Sequence, residues 1–232
     1  MAIGSMYTCI GEFKDLSQFG ISGSSIIDFV SSASESKLKK IDKDCKLLHM
    51  KVALKGKLGE QAPLKSILLF DPDIDTSGFG SVAIKISLHG INYSLTVFNP
   101  SGKFKLCGGI PASVSNDPLL AHHVSSFMCK MEKWLLLDFE NLHFVNLVGK
   151  ISFGKNLNMF DTIDKCKEFF NLIKEPQFEK KGRRNAWKLY KSIRGGKQQI
   201  TIGSEGNGQI FGCRSFIELN YLSAAIKCNW SF

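Results

Sequence analysis

The sequence lacks the long hydrophobic runs that a membrane-spanning helix requires. No apolar stretch reaches the roughly 18 to 20 residues needed to cross a bilayer, and the chain does not open on a basic segment followed by an apolar one. We therefore expect an intracellular protein with no membrane partner and no secretion signal. A second methionine, Met6, follows the first five residues, and we give those five residues no weight.

Cysteine patterns typical of structural metal sites and disulfide frameworks are also missing. The seven cysteines are an odd number and include no Cys-x-x-Cys pair, which argues against a zinc ribbon and against a set of disulfides. We expect reduced, mostly buried thiols. The stretch Asp71–Asp75 begins like a calcium-binding loop but lacks the glycine and the closing glutamate that such a loop needs. The sequence thus predicts no metal and no cofactor.

What the sequence does contain is the composition of a folded chain and an uneven charge. Of its 232 residues, 44% are apolar and 22% are charged, which is enough for a sizeable core. Residues 1–140 hold 15 Lys/Arg against 14 Asp/Glu, a net charge of +1, whereas residues 141–232 hold 15 against 7, a net charge of +8. We therefore expect the last third of the chain to meet a polyanion.

The first half of the chain predicts a strand, a helix, a three-stranded meander and a second helix. Residues 79–88 alternate between apolar and polar side chains, as a half-buried strand does. His89-Gly90 and residues 99–102 have the composition of turns. The predicted elements are, in order, strand 6–13, helix 24–30, strands 79–88, 92–98 and 103–107, and helix 117–137.

The second half repeats this order of elements. Its predicted elements are strand 141–153, helix 159–170, strands 187–193, 198–202 and 209–212, and a closing helix with Phe216, Leu219, Leu222, Ala225 and Ile226 on one face. We therefore predict a tandem duplication, with a first repeat at 6–137 and a second at 138–232. The interval of about 34–78 has no predicted counterpart in the second half, and we interpret it as an insertion.

Three motifs resemble the TATA-box-binding protein family. Residues 144–153 (FVNLVGKISF) are similar to the strand that opens the family's second repeat. Phe79 opens one strand and Phe98 closes the next, just before a Ser-Gly-Lys turn, which is similar to the family's paired phenylalanines. The motifs at 102–108 and 206–212 stand where the family has Gly-Lys-x-x-x-Thr-Gly. The resemblance covers most of 6–33 and 79–232 at low identity.

This resemblance implies an α+β fold, a tandem pseudo-repeat saddle in which helices lie on the convex side of a curved antiparallel sheet. It implies a transcription initiation factor without catalytic activity, whose concave side binds promoter DNA in the minor groove. The implied partners are double-stranded, A/T-rich DNA, a general transcription factor of the IIB type and a multisubunit RNA polymerase.

The resemblance also implies which residues bind DNA. Phe79 and Phe98 would be wedges that unstack a base step, and Asn146 would offer its amide beside Val148. A minor groove presents mainly acceptors at A·T pairs, so its readers combine amides with apolar contact. The other DNA-binding residues that we predict are Lys103, Lys105, Cys107, Gln209 and Phe211, together with Lys180, Lys181, Arg183, Arg184, Trp187 and Lys188.

The last six of these residues belong to a basic run. Residues 180–197 hold eight Lys/Arg and no acid, which favours contact with phosphates. A solvated basic loop or a nuclear localisation signal is the alternative interpretation.

Several family positions hold other residues here. Gly203 stands at the second wedge position of the second repeat, and the first falls near Ala186 or Trp187, so we expect a lopsided bend in DNA. Cys107 and Phe211 stand at the two central threonine positions, and Met6 stands at the first repeat's asparagine position. Such divergence resembles the TATA-binding-protein-like chains of large DNA viruses, which implies the host nucleus or a cytoplasmic viral factory.

Two other functions compete with DNA binding by this chain. A saddle-fold adaptor that acts through protein contacts is favoured by Gly203 and Met6. A nucleic-acid enzyme such as a glycosylase would need a catalytic Asp or Lys beside a helix-hairpin-helix, and the sequence shows no such pattern.

Overall fold

The computed structural model describes residues 3–14, 34–54, 61–63, 79–98, 101–154, 156–157, 176–181, 184–193 and 196–230. Within these ranges the chain forms three helices, α1 (Glu35–Ile41), α2 (Asp117–Leu135) and α3 (Phe216–Trp230). The first six strands are β1 (Ile3–Phe13), β2 (Cys45–Leu54), β3 (Gln61–Pro63), β4 (Phe79–Leu88), β5 (Ile91–Phe98) and β6 (Lys103–Gly109). The other five are β7 (Phe139–Ser152), β8 (Gln177–Lys181), β9 (Arg184–Ile193), β10 (Gly196–Gly203) and β11 (Asn207–Cys213).

The strands make the chain an α+β protein, as expected. In the described part of the chain, eleven strands are hydrogen-bonded in the order β3-β2-β4-β5-β6-β1-β7-β11-β10-β9-β8. The chain divides into two compact units: the first contains residues 8–109 and 121–143, and the second contains residues 1–7, 110–120 and 144–232. No helix among the described residues is long and apolar enough to cross a membrane.

The core of the first unit lies between its strands and α2. Alternate residues of β4 are buried, and the same holds for β5 and β6, because successive side chains of a strand point to opposite faces. On this buried face the Tyr93 ring stacks on Phe127 of α2 with centroids 3.9 Å apart. The Trp134 indole of α2 donates to the Ser34 carbonyl oxygen, 3.0 Å away, and Ser34 caps α1.

The hairpin between β4 and β5 turns at His89 and Gly90. Both residues have positive φ, 49° and 77°, as the two central residues of a type I′ turn require. Leu88 pairs with Ile91 directly before and after the turn. This register places the buried residues of the two strands on one face, so the predicted turn is confirmed.

The core of the second unit lies between its strands and α3. Ile200, Ile202 and Ile210 are fully buried on β10 and β11. Gly149 of β7 lies against Leu219 of α3, and a Cβ atom at Gly149 would collide with the Leu219 side chain. Helix α3 therefore covers the face of β7 that carries Gly149.

Most sequence predictions of helices and strands that fall on described residues are confirmed to within three residues. The predicted helices at 24–30 and 159–170 lie outside the described residues, as does Asp71–Asp75. Residues 1–5, to which we give no weight in the sequence, include the start of β1. The Ser5 carbonyl oxygen accepts from the Ile110 N–H at 3.1 Å, and the Ser5 hydroxyl donates to the Val148 carbonyl oxygen at 3.1 Å.

The interval 34–78, interpreted as an insertion, includes a strand that takes part in the sheet. Strand β2 pairs with β4, as β8 pairs with β9. Moving outward from β1, the order is β6, β5, β4 and β2, and moving outward from β7, the order is β11, β10, β9 and β8. Strand β2 thus has the place in its unit that β8 has in the other.

The cysteines only partly follow the prediction of buried thiols. Cys9, Cys45 and Cys213 are buried and Cys107 is partly buried, whereas Cys129 and Cys228 are exposed. Burial raises the pKa of the Cys9, Cys45 and Cys213 thiols, which keeps these three protonated at neutral pH.

Candidate nucleic-acid interface

Each unit has an open face, which we define as the side of its strands opposite the side that the helices cover. In the first unit this face consists of Thr8, Ile10, Glu12, Lys46, His49, Lys51, Ser81, Ala83, Lys85, Ser87, Asn92, Ser94, Thr96, Phe98, Lys103, Lys105, Cys107 and Gly109. Among these described residues, five lysines and one histidine stand against a single acid. That acid, Glu12, accepts from the Asn141 amide at 2.9 Å. The open face of the first unit is therefore cationic.

Phe98 places a ring on this face, as the sequence predicts. It is 41% exposed, whereas its neighbour Val97 is 3% exposed and faces the core. Phe98 is the last residue of β5, lies opposite Ser81, and borders a cavity of about 340 Å³ that is also lined by Ile10, Lys103 and His143. Phe79 begins β4, two residues before Ser81, and its side chain lies outside the described residues.

Strand β6 presents its three predicted residues together. Lys103 and Lys105 are exposed and Cys107 is partly buried, and all three alternate with the buried Phe104 and Leu106. The Cys107 thiol lies 3.5 Å from the Thr8 hydroxyl of β1. Cys107 stands at one of the two positions where the family has a central threonine. Here the threonine hydroxyl beside it belongs to Thr8 on the neighbouring strand.

In the second unit the open face is rich in amides. Asn146 and Val148 lie on β7, Gln209 and Phe211 on β11, and Lys188 on β9. The face also carries Lys150, Ser152, Ala186, Tyr190, Ser192, Lys197, Gln199, Thr201, Gly203 and Asn207. Among these described side chains, three are lysines and none is an acid.

Asn146 is held in a fixed orientation. Its Oδ1 accepts from the Gly212 N–H at 2.6 Å, and Gly212 has a φ of 83° at a β-bulge in β11. This bond makes Nδ2 the atom that Asn146 offers to a ligand. Asn146 and Phe211 line a cavity of about 330 Å³. Val148, two residues away, is only 8% exposed and offers little surface.

Trp187 lies on the opposite face from Lys188. Its strand partner is Ile202, which is fully buried, and its ring centroid lies 5.0 Å from that of Phe178. Lys188 pairs with Thr201 on the open face. Trp187 and Lys188, both predicted to bind DNA, therefore lie on opposite faces of β9, because neighbours in a strand face opposite sides.

The described residues of the basic run belong to the end of β8, to β9 and to the start of β10. Lys180 and Lys181 end β8, Arg184 begins β9, and Lys181 pairs with Arg184 between the two antiparallel strands. The side chains of these three residues, like all of Arg183, lie outside the described residues. Lys197 lies on the open face with its Nζ atom 5.3 Å from the centre of the Tyr190 ring, whereas Lys191 pairs with the buried Gln198.

The end of β10 in the second unit borders a cavity, whereas the end of β5 in the first unit carries the ring of Phe98. Gly203 ends β10 as Phe98 ends β5, and its strand partner is Ala186. Both residues line a cavity of about 660 Å³ that also includes Lys150 and Thr201. Phe79 precedes Ser81, the strand partner of Phe98, by two residues, and Arg184 likewise precedes Ala186, the strand partner of Gly203.

Four basic residues on the open face of the first unit are not among the predicted site residues: Lys46, His49, Lys51 and Lys85. The first three lie on β2, within the interval that we interpreted as an insertion. Lys85 lies in the alternating strand 79–88, where the same alternation that identifies the buried residues also places Lys85 on the other face. That signal could have found Lys85 from the sequence.

Asp42, Asp44 and His89 form the one group in the described residues with the geometry of a metal site. Their ligand atoms lie within 4.8 Å of one another. However, the Lys130 ammonium lies 3.1 Å from Asp42 Oδ2. The N–H of Asp44 and the Lys130 ammonium lower the pKa of Asp42 despite some burial. We therefore interpret the group as an ion-pair cluster in which Lys130 supplies the cation.

No protein-family model matches the sequence, and no curated protein matches it. Among solved structures, the chain is similar to Methanococcus jannaschii TBP, with a TM-score of 0.46 and 14% sequence identity over 97% of this chain and 98% of that chain. The function proposed below therefore rests on the residues of the open faces and on the sequence motifs.

Proposed function

We propose that this chain is a TATA-binding-protein-like transcription initiation factor that binds promoter DNA in the minor groove through its open faces. The observation that carries this proposal is the charge of those faces: the side chains that the structure describes there include eight lysines and one acid. A lysine that meets a phosphate releases condensed counterions, which favours binding. The helix-covered faces are buried, so the open faces are the sides left to meet DNA.

The polar and aromatic residues of the open faces suit a minor groove. Asn146 offers its Nδ2 group, and Gln209 is an exposed amide on the neighbouring strand. Amide donors match the acceptors that A·T pairs present in that groove. Phe98 supplies an exposed ring that can enter a base step and kink the duplex, which supports A/T-rich, double-stranded DNA as the ligand.

The finer features follow from the sequence resemblance. We propose that residues 6–137 and 138–232 are pseudo-repeats of a saddle, which the matching order of strands outward from β1 and β7 supports. The proposed partners are a IIB-type factor and a multisubunit RNA polymerase. A viral origin, with action in the host nucleus or in a cytoplasmic viral factory, is proposed on the same resemblance.

A second candidate function is a transcription adaptor with little DNA binding of its own. The observation that favours it is the pair Gly203 and Ala186, which leaves no ring at the end of β10. Met6, 50% exposed, offers no amide on β1 where Asn146 offers one on β7. An adaptor of this kind would depend on a companion protein for contact with the promoter.

A gel-shift titration over a range of salt concentrations separates the two functions. A DNA-binding factor should shift A·T-rich duplexes more strongly than G·C-rich ones, and log affinity should fall with log salt by about 0.9 for each phosphate that the protein neutralises. The variant K103A/K105A should lower the slope by up to about 1.8. The control variant K40A/K133A changes exposed lysines of α1 and α2 and should leave the slope unchanged. If the wild-type chain shifts neither kind of duplex, the result would favour the adaptor function.

A further inference from the structure

Strand β2 carries a basic cluster that none of the predicted site residues include. The cluster consists of Lys46, His49 and Lys51 on β2 with Lys85 on β4. His49 pairs directly with Lys85, Lys51 with Ala83 and Lys46 with Ser87, so all four side chains lie on the open face of the first unit. Directly paired residues have Cβ atoms about 4.5 to 5.5 Å apart, which places His49 beside Lys85.

A β-bulge puts these residues on one face. The register between β2 and β4 shifts between Leu47 and His49, because Leu48 is the extra residue. Strict alternation would place His49 on the face opposite Lys46. The bulge changes this alternation, so His49 and Lys51 join Lys46 on the open face while Met50 lies opposite the buried Ile84.

The surroundings of His49 are uniformly basic in the described residues. The titratable groups that face it are Lys85 on β4 and Lys46 and Lys51 on its own strand. Strand β3, on the other side of β2, consists of Gln61, Ala62 and Pro63 and has no titratable group. The acid of this open face, Glu12 on β1, is three strands from β4, or roughly 14 Å at the usual strand spacing.

We propose that this cluster binds the phosphodiester backbone of duplex DNA and that His49 takes up a proton when the DNA binds. The inference rests on the function proposed above and names a contact and its regulation. Charge complementarity selects the ligand, because four basic side chains lie on one open sheet face and, among the described residues, none of them has an acid as its strand partner. A row of phosphates carries charge of the opposite sign.

The direction of the proton transfer follows from the electrostatics. In the chain without DNA, partial desolvation lowers the pKa of His49, and Lys51 and Lys85 lower it further. His49 is therefore neutral at pH 7. A phosphate beside the imidazole favours its charged form and raises the pKa, so the bound state holds more protons. DNA affinity should rise as pH falls below about 7, by at most tenfold per pH unit for one proton.

Calorimetric titration of the full chain with an A·T-rich duplex at pH 6.5, in two buffers of different ionisation enthalpy, counts the protons taken up. The wild type should take up a fraction of a proton that H49Q does not. H122Q, which removes an exposed histidine of α2, is the matched control and should behave as the wild type. Thermal unfolding of each variant shows whether it is folded, which we expect because both side chains are exposed.

Equal proton uptake by the wild type and H49Q would overturn the inference and leave DNA binding intact. No binding of the duplex by the wild type at any pH from 5.5 to 8 would overturn the proposed function itself. A second variant, K46A/K51A, should lower the salt dependence by up to about 1.8 at pH 8, where His49 is neutral. An unchanged salt dependence would show that the β2 cluster does not meet phosphate.

Discussion

An aromatic side chain can stabilise the core or contact a ligand, and Phe98 is placed for the second of these roles. A ring in the core stabilises the fold, whereas a ring on an open sheet face adds little to it and remains available to a ligand. Phe98 is 41% exposed and Phe104, one strand away, is 1% exposed. The two phenylalanines therefore form a matched pair for substitution.

We expect F98A to change the free energy of unfolding by less than about 1 kcal/mol and to abolish the bending of an A·T-rich duplex. F104A should lose about 3 to 5 kcal/mol, because it leaves a cavity in the core. Urea denaturation measures the first effect, and energy transfer between dyes at the two duplex ends measures the second. If F98A bends DNA as the wild type does, Phe98 is not a wedge.

His123 connects the stability of the first unit to pH. Its Nε2 atom lies 3.0 Å from the Tyr93 hydroxyl, and burial raises the pKa of Tyr93 to about 12, so the tyrosine remains neutral. Burial, and to a smaller extent His122, lowers the pKa of His123. The folded chain therefore holds a neutral imidazole where the unfolded chain takes up a proton at about pH 6.5.

Because the unfolded state binds more protons, the stability that the neutral His123 provides should be complete above about pH 6.5 and decrease as pH falls below it. Urea midpoints measured between pH 5 and 7.5 should show this decrease in the wild type. H123Q should show a flatter profile, while H122Q should lie close to the wild type and be only slightly flatter, because it removes the smaller of the two causes that lower the pKa of His123. A profile for H123Q that is as steep as that of the wild type would assign the decrease to other groups.

At the scale of elements, the start of α3 is stabilised by side chains from two places in the second unit. Ser215 Oγ accepts from the Glu218 N–H at 3.2 Å, and Glu218 Oε2 accepts from the Arg214 N–H at 2.8 Å. This is close to a capping box. Asp117 of α2 adds a third acceptor, because its Oδ1 accepts from the Phe216 N–H at 2.7 Å.

We expect D117A to lower the free energy of unfolding by about 1 kcal/mol, as the loss of a helix N-cap does. D117N keeps the Oδ1 acceptor and should lose less. Chemical denaturation of the two variants gives the difference. Equal losses in D117A and D117N would show that the charge of Asp117, and not its hydrogen bond, stabilises α3.

The elements also show how far the sequence predicts the fold and the site. The exposure of Phe98 and the burial of Val82, Ile84 and Ile86 follow from alternation, because β4 and β5 pair without a bulge from Ser81 to Leu88. Alternation does not identify β2, because the bulge at Leu48 interrupts its pattern. Position in the sequence groups Trp187 with the basic run, although its neighbours in space are Phe178 and Ile202.

At the scale of the whole molecule, the net charge of +9 is a poorer guide to which parts of the chain contact DNA than the distribution of that charge over the surface. The sequence assigns almost all of the excess to residues 141–232. In the described residues, however, the open face of the first unit has more lysines than that of the second. Both units, and not only the basic run, should therefore contribute to the salt dependence of DNA binding.

Replacement of Lys180, Lys181, Arg183 and Arg184 by alanine should weaken binding to all DNA sequences alike. It should lower the salt slope by up to about 0.9 for each phosphate that the variant no longer neutralises. The control replaces Lys37, Lys39, Lys40 and Lys43, which removes the same charge from α1 and the residues just after it. Fluorescence anisotropy at several salt concentrations compares the two. Equal slopes for the two variants would mean that the basic run acts by net charge alone or as a targeting signal.

The division of β1 between the two units has a consequence for the order in which the protein folds during synthesis. Residues 3–7 belong to the second unit and residues 8–13 to the first. The ribosome therefore makes the beginning of the second unit first and the remainder of it last. The first unit can be completed once residue 143 has emerged, whereas Ile3, Gly4 and Ser5 must wait for β7 and α3, so this segment is made before the first unit and reaches its final position after it.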